Sequence, residues 1–479
     1  MKVLFAAPES APFFKSGGLG DVIGALPMEL ARNQEMDVRV VLPYYTVMPE
    51  KYKSQLEDVF HFDLNVNGWE SKYCGIKQLK YEGVTYYFID NLEYFDRENL
   101  YGYEDDGKRF SFFSLAVLEI LQIVDFIPDI LHVHDWQTAV IPVLLKDKYR
   151  WIEPYRDIRT ILTLHNLEFQ GRFGQEALGH WLGIGYEAFH ERGLKQYEDV
   201  NFLKGGMYYA DMVTTVSPNY MYEIQTREFG FGLDGVLRDI SYKTTGIING
   251  IDWVEYNPAT DEQIKSNFDK YHLDGKIDNK LALQHTLGLA EDKDLMLIGM
   301  VTRLTEQKGM QLIEMIMSEL MKRPVQFAIL GTGEPKFENS LKHFNWRYPD
   351  QHAAVIEFDS QLAKEIYAGV DLFLMPSAFE PCGLAQMIAM RYGTLPLVHE
   401  VGGLKDTVEA FNQFEVRGTG FTFDKFNPAA LMSVIDEALR VYYDYPENWA
   451  SIQEQAMSQD FSWKSSAREY IDMYKNFSY

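Results

Sequence analysis

At 479 residues the chain exceeds what a single hydrophobic core usually supports, so two or more domains are expected. Its formal net charge of −25 opposes polyanionic partners, which sets nucleic acid and anionic membranes aside, and no apolar run approaches the roughly 18 residues needed to cross a bilayer. Cys74 and Cys382 are the only cysteines and sit outside any metal-ligand spacing, so no disulfide framework and no zinc site is indicated. Glu9 and the Gly-rich residues 15–20 stand where a signal peptide would need an apolar core, and together with free thiols this predicts a cytoplasmic protein. A neutral polymer meets no electrostatic barrier here, whereas a small anion must be met locally by Lys and Arg.

In chain order, the apolar residues 3–7 predict a strand, followed by a Pro/Ser/Gly loop and a helical pattern over 22–32. Strand-like runs recur at 38–42, 85–89, 130–133, 160–164 and 212–216, mostly with room for a helix between them. Residues 60–87, where Phe62, Leu64 and Val66 alternate, break that rhythm and read as a hairpin insertion. After residues 244–252 the chain turns polar and rich in Lys and Asp until about 294, which marks a boundary. A second series follows, with strands at 295–300, 325–330, 354–358, 372–375 and 394–398. The pattern predicts an α/β protein of two doubly wound, Rossmann-like domains facing a central cleft, with ligands beyond the carboxyl ends of the strands.

Lys15-Ser16-Gly17-Gly18-Leu19-Gly20-Asp21 follows the first strand and precedes a helix. Its glycines allow close backbone approach, the helix start offers N–H groups to an anion, and Lys15 adds a full charge. A bland tight turn explains the glycines as well, and the spacing is neither the Walker nor the dinucleotide pattern. Arg303 and Lys308 occupy one short loop after the first strand of the second series, where two cations can hold a diphosphate; two solvated surface cations are the alternative. Gly331-Thr332-Gly333 repeats the glycine theme at the next strand end. Glu380 lies in Pro376-Ser377-Ala378-Phe379-Glu380-Pro381-Cys382-Gly383-Leu384, between a strand and a helix predicted over 385–391, so a carboxylate adjoins the N–H groups of Cys382, Gly383 and Leu384. A helix-start acid and a small buried filler would be the structural reading of Glu380 and Cys382. In the first half, His132, His134, Asp135, His165 and Asn166 stand at strand ends; His165 with Asn166 is the preferred sugar-contacting pair, and Asn249 in its Asn-Gly turn is a further candidate.

Taken together, Lys15 through Val22, His134-Asp135-Trp136, Thr163 through Asn166, Thr214 through Pro218, Asn249 through Asp252 and Phe379 through Leu384 resemble the bacterial glycogen synthases and plant starch synthases, nearly end to end and in the family's order. The resemblance implies the GT-B architecture: an acceptor-side domain over 1–248, a nucleotide-sugar domain over 249–460, and a helix over 461–479 that crosses back to the first domain. It implies no metal and no redox cofactor. The activity it implies is glucosyl transfer from ADP-glucose to the non-reducing end of an α-1,4-glucan with retention. By motif matching, Lys15 touches the donor phosphate within the donor loop of Gly17, Gly18 and Asp21. Arg303 and Lys308 grip the diphosphate, and Glu380 lies at the transferring sugar, which His165 and Asn249 also touch. Phe358 falls where relatives often stack a Tyr on adenine; a Phe keeps the stack.

Three positions depart from the family pattern. Gln137 replaces a frequent His after Asp135-Trp136, Ile388 stands where the wider class carries a second Glu, and Phe95 replaces a frequent Tyr. Two rival readings are a related GT-B transferase with another donor or acceptor, and a non-catalytic glucan-binding protein. Adenine against uracil, and the oligomeric state, a homo-oligomer included, are left open by the residues themselves.

Overall fold

The amino-terminal apolar run forms the strand Lys2–Ala6, and its buried Val3, Leu4, Phe5 and Ala6 need cover on both faces, as an interior parallel strand does. In the computed structural model, which describes residues 1–477, this strand lies within a nine-stranded sheet. The sheet runs, in spatial order, Thr244–Gly246, Met212–Thr215, Arg159–Leu164, Ile130–His134, Lys2–Ala6, Asp37–Pro43 and Val84–Asp90, all parallel, and then Ser71–Tyr81 and Glu57–Asn65, both antiparallel. The last two are the hairpin that breaks the sequence rhythm. Strand order reverses direction between Lys2–Ala6 and Ile130–His134, so the loops leaving these two strands diverge and open a crevice at their carboxyl ends.

Contacts divide the chain into two units, Met1–Asn249 with the chain from Trp463 onward, and Gly250–Ser462. The last helix of the first unit runs Trp463–Phe477; of the expected 461–479 segment, Phe461 and Ser462 stay with the second unit and 478–479 lie outside the described residues. Trp463, Ala467, Tyr470 and Tyr474 recur at helical spacing on its buried face, which packs against the helix Gly18–Ala31. That packing places the Tyr474 hydroxyl 2.7 Å from Nδ1 of His132, a fully buried residue in the middle of the strand Ile130–His134.

The second unit contains a six-stranded, wholly parallel sheet in the order His352–Val355, Val325–Leu330, Met296–Val301, Leu372–Met375, Leu395–His399, Phe421–Phe423. Numbered along the chain this is 3-2-1-4-5-6, the doubly wound order, with its switch point between Met296–Val301 and Leu372–Met375. The two strands whose exits carry Arg303 with Lys308, and Glu380, are therefore direct neighbours.

Two expectations shift. The first helix begins at Gly18 rather than at residue 22, because the glycines read as loop already supply its first turn, where intrahelical bonding demands little of the residue. The strand expected over 354–358 ends at Val355, which leaves Phe358 in a loop with 91% of its surface exposed. Among the described residues no helix is long and apolar enough to cross a membrane.

A buried lysine, its ammonium pushed down to about 7 by burial, ties the scaffold of the second unit together. Lys276, on the helix Asp274–Leu287, donates to the carbonyl oxygens of Ala368 (2.9 Å) and Tyr392 (3.0 Å) and to Oγ1 of Thr394 (2.7 Å), one acceptor for each ammonium proton. Two of these acceptors, Tyr392 and Thr394, directly follow the helix Ala385–Arg391 that leaves the Glu380 turn, and Ala368 lies in the helix Ser360–Gly369. Replacing Lys276 with Met strands three buried acceptors, so chemical denaturation should show the second unit destabilised by about 3 kcal/mol or more. A loss within about 0.5 kcal/mol, the size of a surface substitution, would show the clamp to be idle.

Candidate active site

In the first unit, the loop leaving Lys2–Ala6 is organised by a residue that sequence reasoning passed over. Glu9 is buried and accepts from the backbone N–H of Ser16 and from its hydroxyl (2.9 Å), which anchors the Gly-rich loop from below. Burial pushes the Glu9 carboxyl up, and the Ser16 and Gly20 donors pull it partly back. Above it, Lys15 Nζ lies 2.6 Å from Asp21 Oδ1, both partly exposed, so two expected site residues neutralise each other across the loop. A Cβ on Gly17 or Gly18 would meet nothing within 4 Å. Packing within the protein therefore does not demand glycine there, and the space above the loop is open.

The exits of Ile130–His134 and Arg159–Leu164 bring Asp135 and His165 together. Asp135 adopts a left-handed φ of 55°, an uncommon conformation outside glycine, and its Oδ1 accepts from the His165 N–H at 2.7 Å. Burial pushes the Asp135 carboxyl up to about 7, against the lowering effect of the His165 and Asn166 N–H groups. Burial also pushes His165 down to about 3, so its imidazole is neutral at working pH. Nε2 of His165 lies 3.0 Å from Nδ1 of His134. Asn166 spends its Oδ1 on the Glu168 N–H (3.0 Å), a local turn. Asn249 is buried, and its Oδ1 has no partner among the described residues. Gln137 is buried with Oε1 likewise unpaired among the described residues, and Phe95 is fully buried against Tyr45 and Tyr94.

In the second unit, Lys308 Nζ sits 2.9 and 2.7 Å from the two oxygens of Glu380, and Ser377 Oγ donates to Glu380 Oε2 at 3.0 Å. Side-chain exposure is 18% for Lys308 and 8% for Glu380, so the pair is shielded from water and its geometry counts. The turn is fixed from two sides. Gly309, at φ 79°, lies so close to the Pro376 carbonyl that a Cβ could not fit, and the Ala378 N–H donates to the Gln307 carbonyl at 2.8 Å. Gly402, at φ 46°, would drive a Cβ into the Glu380 carbonyl oxygen, which accepts from the Gly403 N–H at 3.1 Å. Arg303 is exposed and has no ion pair among the described residues. Cys382 is buried, and Gln386 Nε2 donates to the carbonyls of Cys382 (3.1 Å) and Gly383 (3.0 Å), which sets the path of the chain through Leu384 into the helix. The Gly333 N–H is taken by Glu338 Oε1 at 3.0 Å, so that glycine is not an open donor.

Two family models match the chain: the starch synthase catalytic domain over residues 2–239 and the group 1 glycosyl transferases over residues 287–455. A curated glycogen synthase of Streptococcus agalactiae is 52% identical over 475 residues, and one of Ligilactobacillus salivarius is 53% identical over 474, each alignment covering 99% of both chains. The chain belongs to the glycogen synthase family. It is a retaining glycosyltransferase of the GT-B fold. The catalytic domain of Arabidopsis thaliana starch synthase IV, solved with ADP and acarbose, superposes with a TM-score of 0.91 at 35% identity and 99% coverage of each chain. Sucrose-phosphate synthase from Thermosynechococcus elongatus, 15% identical with a TM-score of 0.60, shares the fold alone.

The raised Asp135 carboxyl yields a pH test with a defined sign. Its folded value exceeds the unfolded one of roughly 3.9, so its stabilisation is complete below that pH and is lost as pH rises through about 7. Asp135→Asn should therefore gain stability relative to the unsubstituted chain between about pH 4 and pH 7, as read by denaturation midpoints. A difference that does not change with pH would refute the buried carboxyl.

Proposed function

We propose that the chain transfers the glucosyl unit of ADP-glucose to the non-reducing end of an α-1,4-glucan. The observation that carries this reading is the Lys308–Glu380 pair at the switch point of a nucleotide-type parallel sheet, with Arg303 in the same loop as Lys308. As the anomeric C–O bond breaks, its electron pair leaves with ADP. Lys308 and Arg303 hold the growing charge. The incoming hydroxyl forms the new bond on the face the diphosphate leaves, and its proton passes to a departing phosphate oxygen. Glu380 then need not act as nucleophile, which fits a carboxylate already committed to Lys308 and Ser377.

His165, Asp135, Asn166 and Asn249 supply polar groups for sugar hydroxyls, and the unpaired Oδ1 of Asn249 supports its part. The exposed ring of Phe358 suits a stack on adenine. Gly17, Gly18 and Asp21 shape the donor loop, and Cys382, Gly383 and Leu384 lead into the helix whose first turn adds unpaired N–H groups. No metal or redox cofactor is needed, since side-chain cations meet the charge. Burial pushes the Cys74 thiol up, so it stays a protonated free thiol, in keeping with a cytoplasmic site of action. The relatives' name, and the ADP and acarbose bound by starch synthase IV, support the donor and the glucan acceptor.

Steady-state assays on glycogen with ADP-glucose and with UDP-glucose separate this reading from a transferase of other donor choice. The expected result is a kcat/KM at least about tenfold higher for ADP-glucose, equivalent to roughly 1.4 kcal/mol, with ADP release dependent on added glycogen. Equal or better use of UDP-glucose would reassign the donor, and ADP release indifferent to glycogen would reassign the acceptor.

A further inference from the structure

Behind His165 lies a stack of buried rings that the proposed reaction does not use. His132 and His134 are fully buried, with ring centroids 4.4 Å apart and planes 25° from parallel, and Phe5 lies 5.6 Å from His134 at 14°. Both nitrogens of His132 are engaged, Nδ1 with the Tyr474 hydroxyl at 2.7 Å and Nε2 with Thr163 Oγ1 at 2.6 Å, so that ring is fixed. His134 is held against it, and its Nδ1 faces Nε2 of His165 at 3.0 Å. The structure engages only the Nε2 edge of His165 and leaves Nδ1 for a ligand.

Burial pushes both His134 and His165 well below the ordinary histidine value, so a single proton lies between the two neutral rings. Its owner decides what His165 offers outward. If His165 Nε2 carried it, His134 would hold its own proton on Nε2, which is buried and has no partner among the described residues. A buried N–H without an acceptor is among the rarest defects in folded proteins, whereas an unused lone pair is tolerated more often.

We propose that His134 is a positioning residue: it donates its Nδ1–H to Nε2 of His165 and thereby locks His165 in the tautomer whose Nδ1 carries the proton. His165 then presents a fixed donor to an oxygen of the transferring sugar, a clause that rests on the sugar contact assigned to His165 above. Because the imidazole is neutral, the donor adds no positive charge beside a sugar that is itself becoming cationic.

The test is nitrogen NMR of ¹⁵N-histidine-labelled full-length protein, with the His165 signals identified by their loss in His165→Gln. The expected spectrum has a pyrrole-type, proton-bearing Nδ1 and a pyridine-type Nε2 for His165, unchanged from about pH 5 to about pH 8. A protonated Nε2, or an exchange-averaged mixture, would overturn the proposal. His134→Asn, which keeps an N–H near the position of Nδ1, should retain the His165 signature and most of the turnover. His134→Leu should lose the signature and lower kcat by about tenfold or more, with KM for the donor changed less, as for other groups that orient a ligand-contacting imidazole. Equal kcat in His134→Leu and His134→Asn would also overturn it, and if the Leu variant fails to fold, the spectrum of the unsubstituted protein still decides. Full activity in His165→Gln would instead remove the sugar contact beneath the proposal, leaving the tautomer result intact.

Discussion

A diphosphate leaving from a protein of net charge −25 has to find its positive charge locally, and in the second unit we assign that part to Lys308, gripped by both oxygens of Glu380. A shielded ion pair of this kind is tolerable only when the remaining hydrogen-bonding capacity is met. Here Ser377 takes a lone pair of Glu380, and the chain around the carboxylate is wedged between Gly309 on one side and Gly402 with Gly403 on the other. The cation is thus set in place before any donor arrives, so little reorganisation is left for the moment of reaction. Arg303, exposed and without an ion pair, supplies charge that is not already spoken for.

The same economy governs the first unit, where one switch point delivers the Glu9-anchored loop and the Asp135 turn from neighbouring strands. Lys15 is held by Asp21, Asp135 by the His165 N–H, and His165 by the buried His134, so each of these expected ligand contacts is fixed by a second side chain or backbone group. The closing helix contributes to that depth through Tyr474, which reaches His132 across 342 residues of sequence. Buried polar chains of this sort are rigid when every member is satisfied, and among the buried atoms without a partner in the described residues His134 Nε2 is the one that adjoins His165 through its own ring.

Much of this was legible in the residues. The strand Leu372–Met375 and the helix Ala385–Arg391 fall where the apolar pattern put them, because a buried parallel strand ending in a Pro/Ser/Gly turn leaves little ambiguity. The Lys308 and Glu380 segments were recognisable as chemistry, although their direct pairing across 72 residues was not. Glu9 was missed because a lone carboxylate after a strand has no spacing signature; the only hint was its place directly below a loop already marked as a candidate. His132 and His134 carry no signature of their own in the sequence, since isolated histidines are usually structural, and only the register of two strands reveals that His134 and His165 share an edge. Phe358 was assigned to a strand from its apolar neighbours, yet it stands free because Asp359 caps the next helix by accepting from the Leu362 N–H and ends the extended run early.

The claim that Lys308 acts on the leaving diphosphate, rather than merely holding the donor, is tested most directly by separating binding from bond breaking. Single-turnover rates and equilibrium ADP-glucose affinity should be measured side by side for the unsubstituted chain and Lys308→Ala. Transition-state stabilisation predicts a rate lowered by on the order of 10²-fold or more, with affinity changed far less. An affinity loss of that size with the single-turnover rate preserved at saturating donor would contradict the account.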